Sequence, residues 1–262
     1  MRTLVLTLLF CATPVAALAG GTVDISGAAY GLSSPTGAYG PWVYENIDVT
    51  LPPSGTTGLH FENRHASDKF HPTTESQFGI DTYQTLSKAV TLYAGAFTGT
   101  GAPYFRDRFT AEADINVGHG FVPFVGGSLG SGYGVGSIRQ LTTGTYYYFG
   151  DNYFALRYTP TWSQVLGQTQ GYSATLALGH PGNTVQTFRI GVGGENDVSL
   201  INPDNPSLIG EREFAAGFDL KHWTSKTDGF HAGIEYGALS KAGGAQIYSR
   251  IGARIGFFFG LP

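Results

Sequence analysis

Glu211-Arg212-Glu213-Phe214-Ala215-Ala216-Gly217-Phe218-Asp219-Leu220-Lys221-His222-Trp223 is the stretch that decides the fold. Its odd positions hold Glu211, Glu213, Ala215, Gly217, Asp219 and Lys221, and its even ones include Phe214, Ala216, Phe218 and Leu220. Successive side chains of an extended chain point to opposite faces, so one face of this segment is charged and the other oily. A helix would scatter the same residues around its circumference.

The split recurs in both directions along the chain. Arg157, with Ala155 and Thr159, opposes Phe154, Leu156 and Tyr158; Arg189 and Glu195 oppose Phe188, Ile190 and Val192. His231 and Glu235 oppose Ala232, Ile234 and Tyr236, while Arg250 and Arg254 alternate with Ile251, Ala253, Ile255 and Phe257. Earlier, Arg106, Arg108, Glu112 and Asp114 oppose Phe109, Ala111, Ala113 and Ile115. Segments bounded by Gly, Pro, Asn and Asp clusters read as strands near 21–31, 41–51, 57–66, 74–84, 88–97, 105–117 and 121–132. Seven more follow near 135–149, 152–163, 170–180, 184–196, 209–223, 229–240 and 245–259. The Gly-rich run Gly126 to Gly136, with Pro123 and Pro160 each lacking a ladder donor, leaves twelve or sixteen strands as alternatives to fourteen.

Composition narrows the class. The 262 residues include 39 Gly and 13 Pro, which excludes a long-helix protein, and 14% aromatics argue against disorder. Charged residues are 13%, and no run after residue 19 is long and apolar enough for a spanning helix. A formal net charge of −4 makes nucleic acid a poor partner. Arg2, the apolar run from Leu4 to Phe10 and the small-x-small tripeptide Ala17-Leu18-Ala19 predict a secretory signal peptide over residues 1–19. The single Cys, Cys11, lies in that segment, so the exported domain, 20–262, is expected to use neither disulfides nor thiolate chemistry.

Alternation also suits a soluble sheet with one wet face, so it does not choose a membrane without further evidence. The scarcity of charge on the oily face does, together with five Lys after residue 19 and no charged edge protection. Hydrocarbon offers no partner to an open strand edge, so the sheet must close. Tight connections at Gly118-His119-Gly120, Gly150-Asp151 and Pro181-Gly182-Asn183 alternate with longer ones at 32–40, 67–73, 98–104, 164–169 and 197–208. Short periplasmic turns and longer outer loops have this asymmetry. The expected fold is all-β: a closed antiparallel up-and-down transmembrane β-barrel of about fourteen strands in the outer membrane of a Gram-negative bacterium.

A charge at the lipid midplane costs roughly 2–4 kcal/mol for Arg or Lys, so the charged phase is assigned to the lumen. It comprises Glu62, Arg64, Arg106, Arg108, Glu112, Asp114, Arg139, Arg157, Arg189, Glu195, Asp219, Lys221, Glu235, Arg250 and Arg254, with Glu75 and Asp81 beside them. Nine positive charges then face eight negative ones, and ion pairs that brace the wall are the plainer reading beside a polar conduit or a sugar- or anion-binding lumen. Selectivity for one sign of ion is not expected.

Catalytic motifs are weak. Gly126-Gly127-Ser128-Leu129-Gly130 matches a nucleophile elbow but no helix follows it, and Gly191-Val192-Gly193-Gly194 sits inside a strand. His60 with Glu62, and His231 with Glu235, share a strand face in each case, which inward polar residues of a barrel explain. No Ser–His pairing on the outer wall singles itself out. Tyr146-Tyr147-Tyr148-Phe149 reads as an interfacial aromatic belt. Neither a catalytic residue nor a metal or cofactor is assigned.

Val23 to Tyr30 followed by Pro41-Trp42, Phe61-Glu62-Asn63-Arg64 leading to Ser67-Asp68, Tyr146 to Asp151 entering Phe154 to Tyr158, Gly191 to Glu195, and His222-Trp223 together resemble the YaiO-type outer-membrane β-barrel family. The resemblance implies an outer-membrane barrel in a family linked in some members to exopolysaccharide export, and it carries over no catalytic residue. Such barrels usually end on an aromatic residue that the assembly machinery reads, whereas here Phe257-Phe258-Phe259 is followed by Gly260-Leu261-Pro262. The expected function is a narrow polar passage or a structural, accessory barrel, not an enzyme. Its expected partners are outer-membrane lipid, the barrel assembly machinery and a polysaccharide or small polar solute. The alternatives are a lipid-modifying barrel enzyme, with His60 or His231 as its base, and a soluble periplasmic β-sandwich that binds through its polar face.

Overall fold

The computed structural model describes residues 21–51, 57–69, 72–101, 105–132, 136–164, 167–193, 211–241 and 244–261. The segment read as a signal peptide, Glu195 and the loop at 197–208 lie outside the described residues.

Fourteen strands form among the described residues: β1 (Thr22–Ser33), β2 (Trp42–Leu51), β3 (Thr57–Ala66), β4 (Thr73–Thr85), β5 (Val90–Gly99), β6 (Phe105–Ile115) and β7 (Phe121–Gly132), then β8 (Gly136–Phe149), β9 (Asn152–Ser163), β10 (Gly167–His180), β11 (Thr184–Gly193), β12 (Glu211–Trp223), β13 (Gly229–Lys241) and β14 (Gln246–Gly260). Each pairs antiparallel with its neighbours in sequence, and β1 pairs with β14 from Thr22↔Gly260 to Ser33↔Ser249, which closes the barrel. Closure removes every free edge and excludes a two-sheet sandwich. The Gly-rich region forms one hairpin, β7 with β8, so the count is fourteen and neither twelve nor sixteen.

Both ends of the described chain sit on one rim, where the connections at 86–89, 116–120, 150–151, 181–183 and 224–228 also fall. In the turn 118–120, His119 has a φ of 53° between Gly118 at 90° and Gly120 at 77°. A Cβ on Gly120 would lie 2.1 Å from the Tyr148 carbonyl oxygen, so the strand crossing there requires glycine. The opposite rim carries the connection 34–41 and the strand ends at Ala66, Thr73, Gly193 and Glu211. One expected long loop shortens: β10 begins at Gly167, so 164–169 contracts to 164–166 because Gly167 to Thr169 extend the ladder with β9.

Pro160 leaves its mark on the ladder. Pairing of β8 with β9 runs to Gln140↔Thr161, lapses, and resumes in the same register at Thr143↔Tyr158. A missing N–H thus costs two rungs without shifting the strand.

The faces separate as the alternation requires. Tyr30, Tyr44, Arg64, Ser128, Ile138, Thr161, Glu213 and Arg250 are buried, and they face one another across the ladders or along one phase. Phe78, Phe109, Leu129, Ile234 and Ile251, in the other phase, are at least half exposed. The core therefore lies inside the barrel and the apolar surface outside, the inverse of a soluble protein.

Candidate functional site

Register fixes which inward side chains meet. Arg250 on β14 donates to Glu213 on β12 at 3.0 Å and to Glu235 on β13 at 3.1 Å, all three nearly sealed from solvent. The intervening glycine makes this reach possible: Gly237 pairs with Arg250, and a Cβ there would stand 2.9 Å from the Arg250 Nε. Arg64 on β3 lies 3.6 Å from Glu75 on β4, with its guanidinium 4.3 Å from the centre of the Trp42 ring. Tyr30, Trp42, Tyr44, Ala66, Leu239 and Tyr248 pack around these charges as one buried cluster. The 34–41 connection adds Tyr39, 5.1 Å from Tyr248, while Asp68 accepts from the Trp42 indole at 3.0 Å and the Gly40 N–H at 3.1 Å. The half of the lumen beneath the longer loops is thus filled on the β12–β4 side, and Ile138, Thr159, Thr161 and Ser128 are buried on the other.

The half nearer the termini holds a cavity of about 570 Å³. Asp24, Asp48 and Asp81 line it from β1, β2 and β4, and Arg189, Lys221 and Arg254 from β11, β12 and β14. Strands β4 and β11 are seven places apart in a ring of fourteen, so Asp81 and Arg189 stand across the lumen from one another, whereas Asp24 and Arg254 lie on adjacent strands and the lining also carries Arg108 on β6 and Asp219 on β12. Each wall is held by local pairs. His60 lies 2.7 Å from Asp48 and 3.2 Å from Asp81, and His231 lies 2.8 Å from Asp24. Asp219 bridges Arg189 at 2.6 Å and Arg254 at 2.5 Å, while the Lys221 ammonium sits 4.4 Å over the Phe258 ring. His231 reaches Asp24 across β14 because Gly256 intervenes; a Cβ there would lie 2.2 Å from the His231 Nε2.

A neighbouring recess of about 200 Å³ shares Arg189 with the cavity and adds Arg157, Phe124, Tyr146 and Tyr153. Arg157 pairs with Glu112 at 3.1 Å, donates to the Tyr146 hydroxyl at 3.3 Å and lies 4.6 Å over the Phe124 ring. Tyr83 and Tyr93 face each other at 4.8 Å further round the wall. An arc of aromatic rings thus continues from β4 to β9 at the terminal end of the lumen.

Of the charges assigned to the lumen from the sequence, Glu62, Arg64, Arg108, Glu112, Asp114, Arg157, Arg189, Asp219, Lys221, Glu235, Arg250 and Arg254 share the inward phase. Arg139 does not. It pairs with the outward Leu129 and Trp162, while its neighbour Ile138 is buried inside. Both faces of β8 are mixed in polarity, so its phase is set by register with β7 and β9. Near the loop rim, a long side chain can carry its charge to the headgroups. Arg106 departs too: the register shift between Phe105 and Asp107 makes it the extra residue of a bulge, exposed at the loop end of β6. The aromatic run is also divided, with Tyr147 and Phe149 exposed on the outer face and Tyr146 and Tyr148 turned inward.

Ser128, the centre of the apparent nucleophile elbow, lies buried in β7 and donates to Gln140 at 2.6 Å. Reading the sequence missed Asp24, Asp48 and Glu213 as lumen charges, although each stands in the inward phase two residues from an inward neighbour. Among the described residues no group of three or more His, Cys, Asp or Glu has the arrangement of a metal site.

Solved structures share this architecture at low sequence identity. A CymD monoaromatic hydrocarbon channel aligns with a TM-score of 0.56 at 12% identity over 93% of this chain and 89% of its own. A bacterial polysaccharide outer membrane secretin aligns at 0.55 and 9% over 92% and 98%, and the Acinetobacter baumannii outer membrane protein Omp33 at 0.53 and 10% over 92% and 99%. Likeness of this degree speaks to the fold alone, a closed outer-membrane β-barrel. No curated protein matches it in sequence. A family model matches residues 25–198, well over half the chain and spanning β1 to β11, and on that match the protein belongs to the YaiO membrane beta barrel domain family.

Proposed function

We propose that the barrel is a narrow polar passage through the outer membrane whose inner vestibule takes a short saccharide or similar small polar solute. The observation that carries this reading is the cavity lined together by the carboxylates of Asp24, Asp48, Asp81 and Asp219 and the cations of Arg108, Arg189, Lys221 and Arg254. Interspersed charges of both signs offer donors and acceptors to a polar solute and favour neither sign of ion. The rings of Tyr93, Phe97, Tyr146 and Tyr153 around it offer apolar faces to the C–H side of a sugar ring, while the charged groups take its hydroxyls. The family resemblance to barrels linked with exopolysaccharide export favours an envelope saccharide. Outer-membrane lipid surrounds the wall, and the assembly machinery reads β14 despite the residues beyond Phe259.

Purified protein in planar bilayers should give reproducible conductance steps that are interrupted by oligosaccharide added on the terminal side. Arg157→Ala and Arg189→Ala should change step size or dwell time. A silent bilayer refutes the passage. The filled outer half favours a second reading, a structural, accessory barrel, which predicts silence together with an envelope defect on deletion.

A further inference from the structure

The outward face of β2, β3 and β4 is apolar near the terminal rim, with Ile47, Val49, Phe61, Phe78 and Ile80. Toward the loop rim five polar side chains replace this surface: Glu45, Asn63, His65, Thr74 and Ser76. They form one hydrogen-bonded group. The His65 Nδ1 lies 3.0 Å from the Thr74 hydroxyl, and its Nε2 lies 2.9 Å from the Asn63 carboxamide and 3.8 Å from the Glu45 carboxylate. The Asn63 amide nitrogen donates to Glu45 at 3.5 Å, and the Ser76 hydroxyl donates to the Asn63 Oδ1 at 3.0 Å. The wall needs none of these groups, since Val or Ile at the same positions would satisfy the strand and the lipid equally. Polar side chains face outward elsewhere near this rim, Arg139 and Gln168 among them; what sets these five apart is that they form one bonded group around an imidazole.

We propose that this cluster is a lipid-facing acyl-ester hydrolase site, with Thr74 as nucleophile, His65 as general base and Asn63 with Glu45 orienting the imidazole. The arrangement has the required order: a hydroxyl at one ring nitrogen and a carboxamide and carboxylate at the other. The amide nitrogen of Asn63 faces Nε2 at rest. A half-turn about its terminal bond presents Oδ1 to Nε2–H and leaves Nδ1 to accept the Thr74 proton. Thr74 Oγ1 then attacks the ester carbonyl carbon as its proton passes to His65. The C–O bond to the alcohol breaks, and that proton moves on to the departing oxygen. Water, activated by the same imidazole, cleaves the Thr74 ester and releases the fatty acid, so ester and water give acid and alcohol. The same half-turn takes Oδ1 away from Ser76, two residues along the same strand face, and frees its hydroxyl proton to donate to the oxyanion. Thr74 is the second residue of β4 and His65 the penultimate residue of β3, which puts the site at the rim carrying the longer loops, the side on which outer-leaflet lipids would meet it.

The test is release of free fatty acid, read by mass spectrometry, from the full barrel reconstituted in two kinds of vesicle: phospholipid alone, and phospholipid with lipopolysaccharide. Release in the first assigns a phospholipid ester, and release confined to the second assigns a glycolipid ester. His65→Ala and Thr74→Val should each lower release by about a hundredfold or more, Thr74→Ser should keep it, and Gln168→Ala, on the outward face of β10, should match the wild type. Folded barrel in every variant is verified by its shifted migration on unheated gels. No release from either vesicle, or release that survives His65→Ala and Thr74→Val, overturns the proposal. Conductance is recorded on the same preparations, so loss of the hydrolase reading and loss of the passage reading are separable.

Discussion

The two halves of the lumen use the same residue types to opposite ends. Under the longer loops, Arg250, Glu213 and Glu235 are sealed among Tyr30, Trp42, Tyr44 and Tyr248. Near the termini, Arg189, Arg254 and Asp219 form an equally close group that still borders a cavity of about 570 Å³. What differs is the company. Large aromatic rings from β1, β2 and β14 close over the charges of the first half, whereas in the second the rings of Tyr93, Phe97, Tyr146 and Tyr153 stand along the wall and leave the space between open. Charge pairing braces a barrel wherever it occurs; bulk beside the pair decides whether space remains.

The comparison breaks most sharply at Arg250. Arg250→Ala leaves two buried carboxylates without their partner and should cost about 3–5 kcal/mol in denaturant unfolding, and it should raise conductance by opening the filled half. An unchanged unfolding midpoint would mean that the seal is not structural. Arg189→Gln, in the half-open group, leaves Asp219 its bond to Arg254 and should cost less than Arg250→Ala while shifting ion permeability toward cations, measured as a reversal potential in a salt gradient. If its stability loss matches that of Arg250→Ala, the distinction between the halves fails. Arg139→Leu should change stability by at most about 1 kcal/mol and leave conductance unaltered, since its side chain faces lipid near the rim; altered conductance would return it to the lumen.

The smallest effect concerns pH and the turn that holds the last strand. The Gly260 N–H donates to Asp228 at 2.9 Å, and with the Ser225 and Thr227 hydroxyls it holds that carboxyl below its usual range. A depressed pKa contributes stability that is present above the ordinary aspartate value and fades as pH falls through the lowered one. Wild type and Asp228→Ala should therefore converge in unfolding midpoint on acidification and separate at neutral pH. Divergence in acid would contradict the assignment.

Much of this was legible in the chain. Strands such as 57–66, 121–132 and 152–163 coincide with their expected bounds, and twelve lumen charges were assigned by phase alone. Arg139 was misassigned because neither face of β8 is clearly oily, so charge stood in for phase where phase was silent. Tyr146 to Phe149 read as one belt because four aromatics in a row hide an alternation that turns two of them inward. The meeting of His65 with Thr74 is not legible in the chain because eight residues and a strand reversal lie between them, and adjacency on the wall follows from pairing.

Period-two alternation is a property of each extended segment, because covalent geometry sends successive side chains to opposite faces. That is why the amino-acid order alone established a membrane-facing sheet with a charged interior. Which charges meet, where a bulge turns Arg106 to the rim, and whether space survives between the walls all depend on how one strand slides against the next. Register is a relation between segments that closure of the ring makes mutually dependent, so it entered only with the folded barrel.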